Sequence, residues 1–138
     1  MATLTLANAE QILTAAKAKV EELGVKMSIS VVDPRGDLIA MFRTDGASWR
    51  TPPISRGKAL ASACFGQSGA ALAARAQSPV FQALMTQVGG NLVPGQGGLP
   101  VYKDGELVGA VGGSGGTGQE DEDVALAGIK AAGLSATP

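Results

Sequence analysis

The chain has 138 residues, a net charge of −1 and 45% hydrophobic residues, which is enough for one domain with a buried core. A charge so close to zero gives no electrostatic reason to bind nucleic acid or an anionic membrane, and we expect neither partner. The sequence contains no histidine, which excludes Ser-His-Asp catalysis, histidine acid–base chemistry and histidine metal ligation.

The single cysteine, Cys64, excludes an intrachain disulfide and a thiolate metal cluster, so we expect no metal site built from protein side chains. The first residues lack the basic start and apolar core of a signal peptide, and no apolar run approaches the length of a membrane span. A cytoplasmic protein is therefore expected.

Apolar residues at helical spacing predict a first helix over residues 4–23, with Thr5 as N-cap and Gly24 as its end. Two β-branched, apolar runs follow at residues 25–33 and 38–43. The sequence Asp33-Pro-Arg-Gly36 between them predicts a hairpin turn, with Asp33 as the residue that forms it.

The loop Arg43-Thr-Asp-Gly-Ala-Ser-Trp-Arg50 contains two arginines, Asp45 and the only tryptophan of the chain. A guanidinium fork and an indole plate suit a planar ligand that carries a carboxylate. They suit a subunit interface equally well, so the loop leaves both functions open.

Thr51-Pro-Pro53 predicts the start of a helix that runs to about Phe65, and its alanines and serine would let it approach a neighbour closely. Lys58 in this apolar helix is either a surface lysine that extends its charge to solvent or a partly buried cation, and we favour the surface lysine. Ser68 and Ser78 predict N-caps of two further short helices, which end near Arg75 and Val88.

A second hairpin is predicted from Pro100–Tyr102 and Glu106–Val111, closed by Asp104-Gly105. A glycine loop over residues 112–118 would follow it, and a last helix would cover residues 119–133.

Acidic residues at 120–123 favour the positive end of this last helix, and Asp121 is the candidate for its N-cap. The preceding glycines match the dinucleotide pattern G-x-G-x-x-G, which also needs a second strand after the helix and a ribose-binding carboxylate about 20 residues on. The sequence after the glycines offers one helix only, and its carboxylates would repel a pyrophosphate. We therefore reject nucleotide binding.

The order helix, hairpin, helices, hairpin, helix predicts an α+β fold in which helices flank an antiparallel sheet, formed by one domain over residues 1–138.

Six segments in fixed order carry a resemblance to a known family. The segments are Val31-Val-Asp-Pro-Arg-Gly36, Arg43-Thr-Asp-Gly-Ala47, Lys58-Ala59, Gly97-Gly-Leu-Pro-Val101, residues 108–118 and Asp121-Glu122. They resemble the GlcG/HbpS-like haem-binding and haem-degrading family, which also forms the C-terminal domain of PduO proteins. The resemblance implies a profilin-like fold with a five-stranded antiparallel sheet, homo-oligomers from dimers to octamers, and in some members a bound haem or corrinoid.

Three functions are consistent with these residues. The first is a haem- or tetrapyrrole-binding protein, with haem degradation as an extension and Arg43, Arg50 and Lys58 as partners of the propionates. The second is a non-catalytic accessory protein of a catabolic operon. The third is a small enzyme or binding protein for an organic acid, using Arg43, Lys58 and the glycine loops.

The family's tetrapyrrole-binding members often supply an axial ligand, a histidine in the corrinoid-binding domain, and this chain has none. Tyr102, Cys64, a methionine or Thr117 would have to replace it, and the sequence favours none of them. The candidate ligand-binding residues are Arg43, Asp45, Arg50, Lys58, Gly98, Ser114, Thr117 and Asp121.

Overall fold

One antiparallel sheet and five helices make up the part of the chain that the computed structural model describes, residues 2–138. The strands are β1 (Ser28–Val32), β2 (Leu38–Arg43), β3 (Gly98–Lys103) and β4 (Glu106–Ser114). The helices are α1 (Leu6–Leu23), α2 (Thr51–Phe65), α3 (Gly69–Arg75), α4 (Pro79–Gln87) and α5 (Gly118–Ala131). The order of the strands across the sheet is β2-β1-β4-β3, with every neighbouring pair antiparallel, and the α+β prediction is confirmed.

Local sequence explains the first hairpin as expected. The Asp33 carboxylate accepts hydrogen bonds from the amides of Arg35 at 2.8 Å and Asp37 at 3.0 Å, which holds the β1–β2 connection in a tight turn. Gly36 completes this turn with a φ of 86°, a conformation that favours glycine.

Helices cover both faces of the sheet. Helices α1 and α5 pack on one face, where the main core contains Ile12 and Val20 from α1, Val111 from β4, and Val124 and Ile129 from α5. On the opposite face, α2 contributes Ala59 and Ala63 to a small cluster with Val32 and Ala110 of the sheet. Helices α3 and α4 pack against the outer side of α2 through Ala61, Leu72 and Phe81.

Glycines in the sheet allow α2 to lie unusually close to the strands. A Cβ atom on Gly112 of β4 would collide with the carbonyl of Ser55 and lie 2.6 Å from the amide nitrogen of Ala59. A Cβ on Gly98 of β3 would lie 2.6 Å from the carbonyl oxygen of Lys58. The expected close approach of this small-residue helix is therefore present, and it fixes where Lys58 can point.

The predicted five-stranded sheet is wrong, because the described residues form four strands. Beyond α5 the chain returns to the outer edge of β3 but makes only one bridge, between Tyr102 and Ser135. The neighbours Leu134 and Ala136 instead pack against the core. The profilin-like description stays a prediction. No helix within residues 2–138 combines the length and the hydropathy needed to cross a membrane.

Candidate functional site

A groove of about 490 Å³ lies between the loop before α2 and the end of β4, and we call it the glycine-loop groove. It is lined by Lys26, Gly46, Ala47, Ser48, Arg50, Thr51, Ile54, Ser114, Gly115 and Gly116.

The glycine-loop groove is electropositive. Lys26 and Arg50 are both exposed, and its lining contains no carboxylate. Helix α2 begins in the same wall at Thr51, with no acidic residue in its first turn and no side-chain cap from Arg50. The positive end of the helix dipole therefore adds to the two cations.

Two hydroxyl groups contribute to the polar surface of this groove. The Thr51 hydroxyl is 2.8 Å from that of Ser28 and donates to the carbonyl of Ser48 at 2.9 Å. Ser114 is only 7% exposed, and its Oγ forms no hydrogen bond within residues 2–138. Because Ser114 lines the groove, its hydroxyl is available to a polar ligand atom.

A buried ion pair holds the glycine loop in place. Lys58 and Asp121 are 8% and 3% exposed, and the Lys58 ammonium lies 3.0 Å from Oδ2 of Asp121. The same ammonium donates to the carbonyl of Gly113 at 2.9 Å, and Oδ1 of Asp121 accepts from the amide of Gly116 at 2.9 Å. The pair thus connects α2 and α5 to both sides of the loop.

The favoured interpretation of Lys58 as a surface lysine is wrong. Glycine at position 97 leaves the space that the ammonium occupies, because a Cβ there would lie 3.0 Å from Nζ and 2.7 Å from the Cβ of Asp121. Burial of a lysine is tolerated where its charge is neutralised and its donors are used, as they are here.

Burial raises the pKa of Asp121 above its ordinary value. The hydrogen bond and the charge of Lys58 and the amide of Gly116 oppose this effect and lower the pKa, whereas the charge of Glu120 raises it further. Asp121 is 3% exposed and does not line the groove, and its two carboxylate oxygens accept hydrogen bonds from Lys58 and from the loop amide of Gly116.

The expectation that Asp121 caps the last helix is also wrong. The N-cap is Thr117, whose hydroxyl accepts from the amide of Glu120 at 3.2 Å, while the Glu120 carboxylate accepts from the amide of Thr117 at 2.9 Å. This reciprocal pair is a capping box. Asp121 directly follows Glu120 in the first turn of α5, and its carboxylate accepts a hydrogen bond from the amide of Gly116.

The loop amides that were expected to hold an anion are largely occupied. The amide of Gly113 donates to the carbonyl of Gly97 at 3.0 Å, and those of Gly116 and Thr117 donate to the two carboxylates of α5. Of these three residues Gly116 lines the groove, so its amide is not free to bind an anion there.

The structure separates the other predicted residues. Arg43 is exposed, and its guanidinium donates to the carbonyl of Ala47 at 2.9 Å, which shapes the loop. Asp45 lines a different surface groove of mixed charge, with Glu21 and Lys17. Gly98 is buried beneath α2. Of the eight predicted residues, Arg50 and Ser114 meet in the lining of the glycine-loop groove.

Lys26 is a member of the groove that the sequence did not indicate. It was assigned to the first strand, where an exposed lysine is unremarkable, but β1 begins two residues later at Ser28. Its ammonium instead lies against Gly46, since a Cβ on that glycine would be 2.9 Å from Nζ. Gly46 adopts a φ of 81°, a conformation that favours glycine, and the absence of a side chain there leaves room for the Lys26 ammonium.

A second, larger groove of about 750 Å³ lies between the edge strand β2 and the first half of α2. We call it the apolar groove, since most of its side chains are apolar. Its lining also includes the thioether of Met41 and the guanidinium of Arg56. Its lining comprises Gly36, Leu38, Met41, Pro52, Pro53, Ile54, Arg56, Gly57, Leu60, Gly90, Asn91 and Val93. The sequence did not reveal it, because these residues come from three separate segments.

The structure shows where each candidate iron ligand lies relative to the two grooves. Tyr102 donates its hydroxyl hydrogen to the carbonyl of Gly66 at 2.8 Å, and Thr117 caps α5. Cys64 is exposed and lines neither groove, and Met27 is fully buried in the core. Met41 is the one of these candidates that lines the apolar groove, and no group of three or more carboxylate or thiol ligands occurs within residues 2–138.

Comparison with known proteins gives a consistent result over nearly the whole chain. The model of a family described as haem degrading protein HbpS-like matches residues 4–130. A 15.0 kDa protein of Citrobacter freundii, described as uncharacterized and located in the dhaT-dhaS intergenic region, is 36% identical over 123 residues, which cover 88% of this chain and 86% of that protein.

Solved structures with the same fold include one that was crystallised with haem. The crystal structure of a PduOC–haem complex has a TM-score of 0.90 at 25% identity and covers 99% of both chains. ORFY of Klebsiella pneumoniae has a TM-score of 0.90 at 30% identity and covers 96% of this chain and 92% of its own. A double mutant of HbpS from Streptomyces reticuli has a TM-score of 0.83 at 29% identity, covering 94% and 87%.

Proposed function

Because the chain belongs to the HbpS-like family of haem-degrading proteins, we propose that it binds haem, and that it does so in the apolar groove. The observation that carries the location is the combination of apolar walls, a thioether and a guanidinium in one cavity of about 750 Å³. The haem in the PduOC complex supports the proposal as a property of a protein with the same fold.

The lining of the apolar groove fits the three chemical parts of haem. A porphyrin needs apolar surface on its faces, and Leu38, Leu60 and Val93 provide it. Leu38 is 38% exposed, so a bound ring would cover apolar surface that otherwise contacts water. Arg56 is exposed and would hold a propionate carboxylate through its planar fork.

Met41 is the side chain that would contact the iron. A thioether is an established axial ligand of haem iron in proteins, and Met41 lies on the edge strand facing the groove lined by α2. When bound, haem would supply a redox-active iron centre. The protein's own contribution would be to orient the ring, exclude water from one face and hold the propionates.

The chain is also proposed to form a homo-oligomer. Strand β2 is an edge strand whose outer side pairs with no strand of residues 2–138, and Trp49 and Val80 are 80% and 81% exposed. Open strand edges and exposed large apolar side chains are typical of surfaces that another chain covers. Light scattering coupled to size-exclusion chromatography would test this, and a strictly monomeric protein would contradict it.

A visible-spectrum titration with hemin tests the haem proposal. We expect a saturable, shifted Soret band, and Met41→Leu should change the band because a thioether ligand is lost while the groove volume is nearly kept. Met85→Leu is the matched control, since Met85 packs beside Phe81 away from both grooves. A flat titration would contradict haem binding and favour the accessory-protein alternative. Identical bands for wild type and Met41→Leu would contradict the assigned ligand.

A further inference from the structure

We infer that the glycine-loop groove is a second ligand site, and that it binds a small dicarboxylate. The inference does not depend on haem, because this groove and the apolar groove share one lining residue, Ile54.

The charged side chains that line the groove indicate that its ligand is an anion. Lys26 and Arg50 line the groove and no carboxylate does, although the whole chain carries a net charge of −1. Lys26 also borders the neighbouring groove that Glu21 and Asp45 line, but it forms no ion pair with either. Neither cation forms an ion pair with a residue in the described chain. Two unpaired cations at the positive end of α2 favour an anion with two charges.

Ser114 provides an independent observation that a ligand contacts this groove. Its side chain is more than nine-tenths buried, yet its hydroxyl is unpaired while the neighbouring hydroxyls of Thr51 and Ser28 bond to each other. The hydroxyl oxygen of Ser114 reaches the surface of the groove, where a ligand atom can accept its hydrogen or donate to it. Ser114 belongs to the lining, so the missing partner would lie in the groove.

The donors favour a carboxylate over a phosphate. Proteins commonly hold phosphates with the free amides of a glycine loop, but here the amides of Gly113, Gly116 and Thr117 donate to protein acceptors. Among the side chains of the groove, the planar guanidinium of Arg50 matches a carboxylate with two parallel hydrogen bonds.

The apolar part of the lining limits the size of the ligand. Only Ala47 and Ile54 provide apolar side chains in a groove of about 490 Å³. This is enough to contact the short carbon chain of a small organic acid, whereas a planar macrocycle needs the more extensive apolar walls of the other groove.

Calorimetric titration with malonate, at constant ionic strength and without hemin, tests the inference. We expect saturation at one malonate per chain, weaker binding of acetate, which has one carboxylate, and weaker binding of inorganic phosphate. Fluorescence of Trp49 is a second readout, because it is the only tryptophan and lies between the groove residues Ser48 and Arg50.

Three substitutions locate the site. Arg50→Gln and Lys26→Gln should each weaken malonate binding about tenfold or more, since each removes a charge-assisted contact, and Ser114→Ala should weaken it by a smaller factor. Lys103→Gln is the charge-matched control, because Lys103 is exposed at the end of β3, outside the groove.

The inference is overturned if malonate does not saturate, or if phosphate binds more tightly than malonate. It is also overturned if Lys103→Gln weakens binding as much as Arg50→Gln, which would indicate a general charge effect. Met41→Leu should leave malonate binding unchanged, so failure of the haem proposal and failure of this inference are distinguishable.

Discussion

The two grooves on either side of the first turns of α2 differ in how they are built. The apolar groove is shaped by packing: Leu60 of α2 lies so close to Gly36 that a Cβ on this glycine would collide with it. The glycine-loop groove is shaped by charge, because the buried pair of Lys58 and Asp121 holds Gly113 and Gly116. The difference teaches that one helix can present two chemically distinct surfaces when small residues let it lie deep against the sheet.

Of the substitutions that we propose, breaking the ion pair between Lys58 and Asp121 should have the largest effect on stability. It should disturb the glycine-loop groove rather than the apolar groove. Lys58→Ala leaves the Asp121 carboxylate buried without its cation, and we expect a loss of about 3–5 kcal/mol in the free energy of unfolding. Urea denaturation would measure it, with Lys103→Ala as the exposed control. A loss below about 1 kcal/mol would show that the pair contributes little to the fold.

Two adjacent glycines of the loop should respond differently to alanine. Gly115 has a φ of 133°, and a Cβ there would collide with the carbonyl of Lys26, so we expect Gly115→Ala to cost about 1–3 kcal/mol. A Cβ on Gly116 would lie 3.0 Å from the Cβ of Glu120 and 3.3 Å from Oδ1 of Asp121, which are tight contacts but no collision with backbone, so Gly116→Ala should cost less, about 1 kcal/mol or below. Equal thermal melts of the two variants would contradict this account of the loop.

Removing the helix cap should have an intermediate effect. Thr117→Ala takes away the hydroxyl that accepts from the amide of Glu120, and a loss of about 1 kcal/mol is expected in urea denaturation. Thr86→Ala, at an exposed position of α4, is the control. If Thr117→Ala were as stable as the control, the capping box would not stabilise α5.

The smallest expected effect is a dependence of stability on pH. Burial raises the pKa of Asp121 in the folded protein above the ordinary value of 3.8. At a pH between 3.8 and the raised pKa, the folded protein keeps a proton on Asp121 that the unfolded chain has lost. The stabilising contribution of this group is therefore full below 3.8 and is lost as the pH rises through the raised pKa.

Asp121→Asn removes this titration. The difference in unfolding free energy between wild type and variant, measured by urea denaturation across the acidic range, should fall as pH rises through that window. A difference that grows with pH would mean that Lys58 and Gly116 lower the pKa by more than burial raises it.

Local signals predicted the elements well because each depends on residues close in sequence. The turn formed by Asp33, the helix starts at Ser68 and Ser78 and the hairpin closed by Asp104-Gly105 all appear as expected. The strand β4 was predicted too short, because the two glycines that suggested a loop serve close packing on opposite faces of the sheet: Gly112 lies against α2, and Gly113 lies against the carbonyl of Asp121 in α5.

The site was harder to predict, since it depends on contacts between distant residues. Lys58 and Asp121 are 63 positions apart, so nothing local indicates that the lysine is buried. Lys26 and the apolar groove were missed for the same reason. Arg50 and Ser114 were both among the predicted ligand-binding residues, but the structure was needed to show that they line the same groove.

The most direct test of the central claim, that haem occupies the apolar groove, is a hemin titration of two matched variants, Arg56→Gln and Arg50→Gln. Both remove one exposed guanidinium, from the apolar groove and from the glycine-loop groove respectively. We predict that Arg56→Gln weakens haem binding about tenfold and that Arg50→Gln binds haem like the wild type. Weaker binding by Arg50→Gln alone would place haem in the other groove and contradict the account.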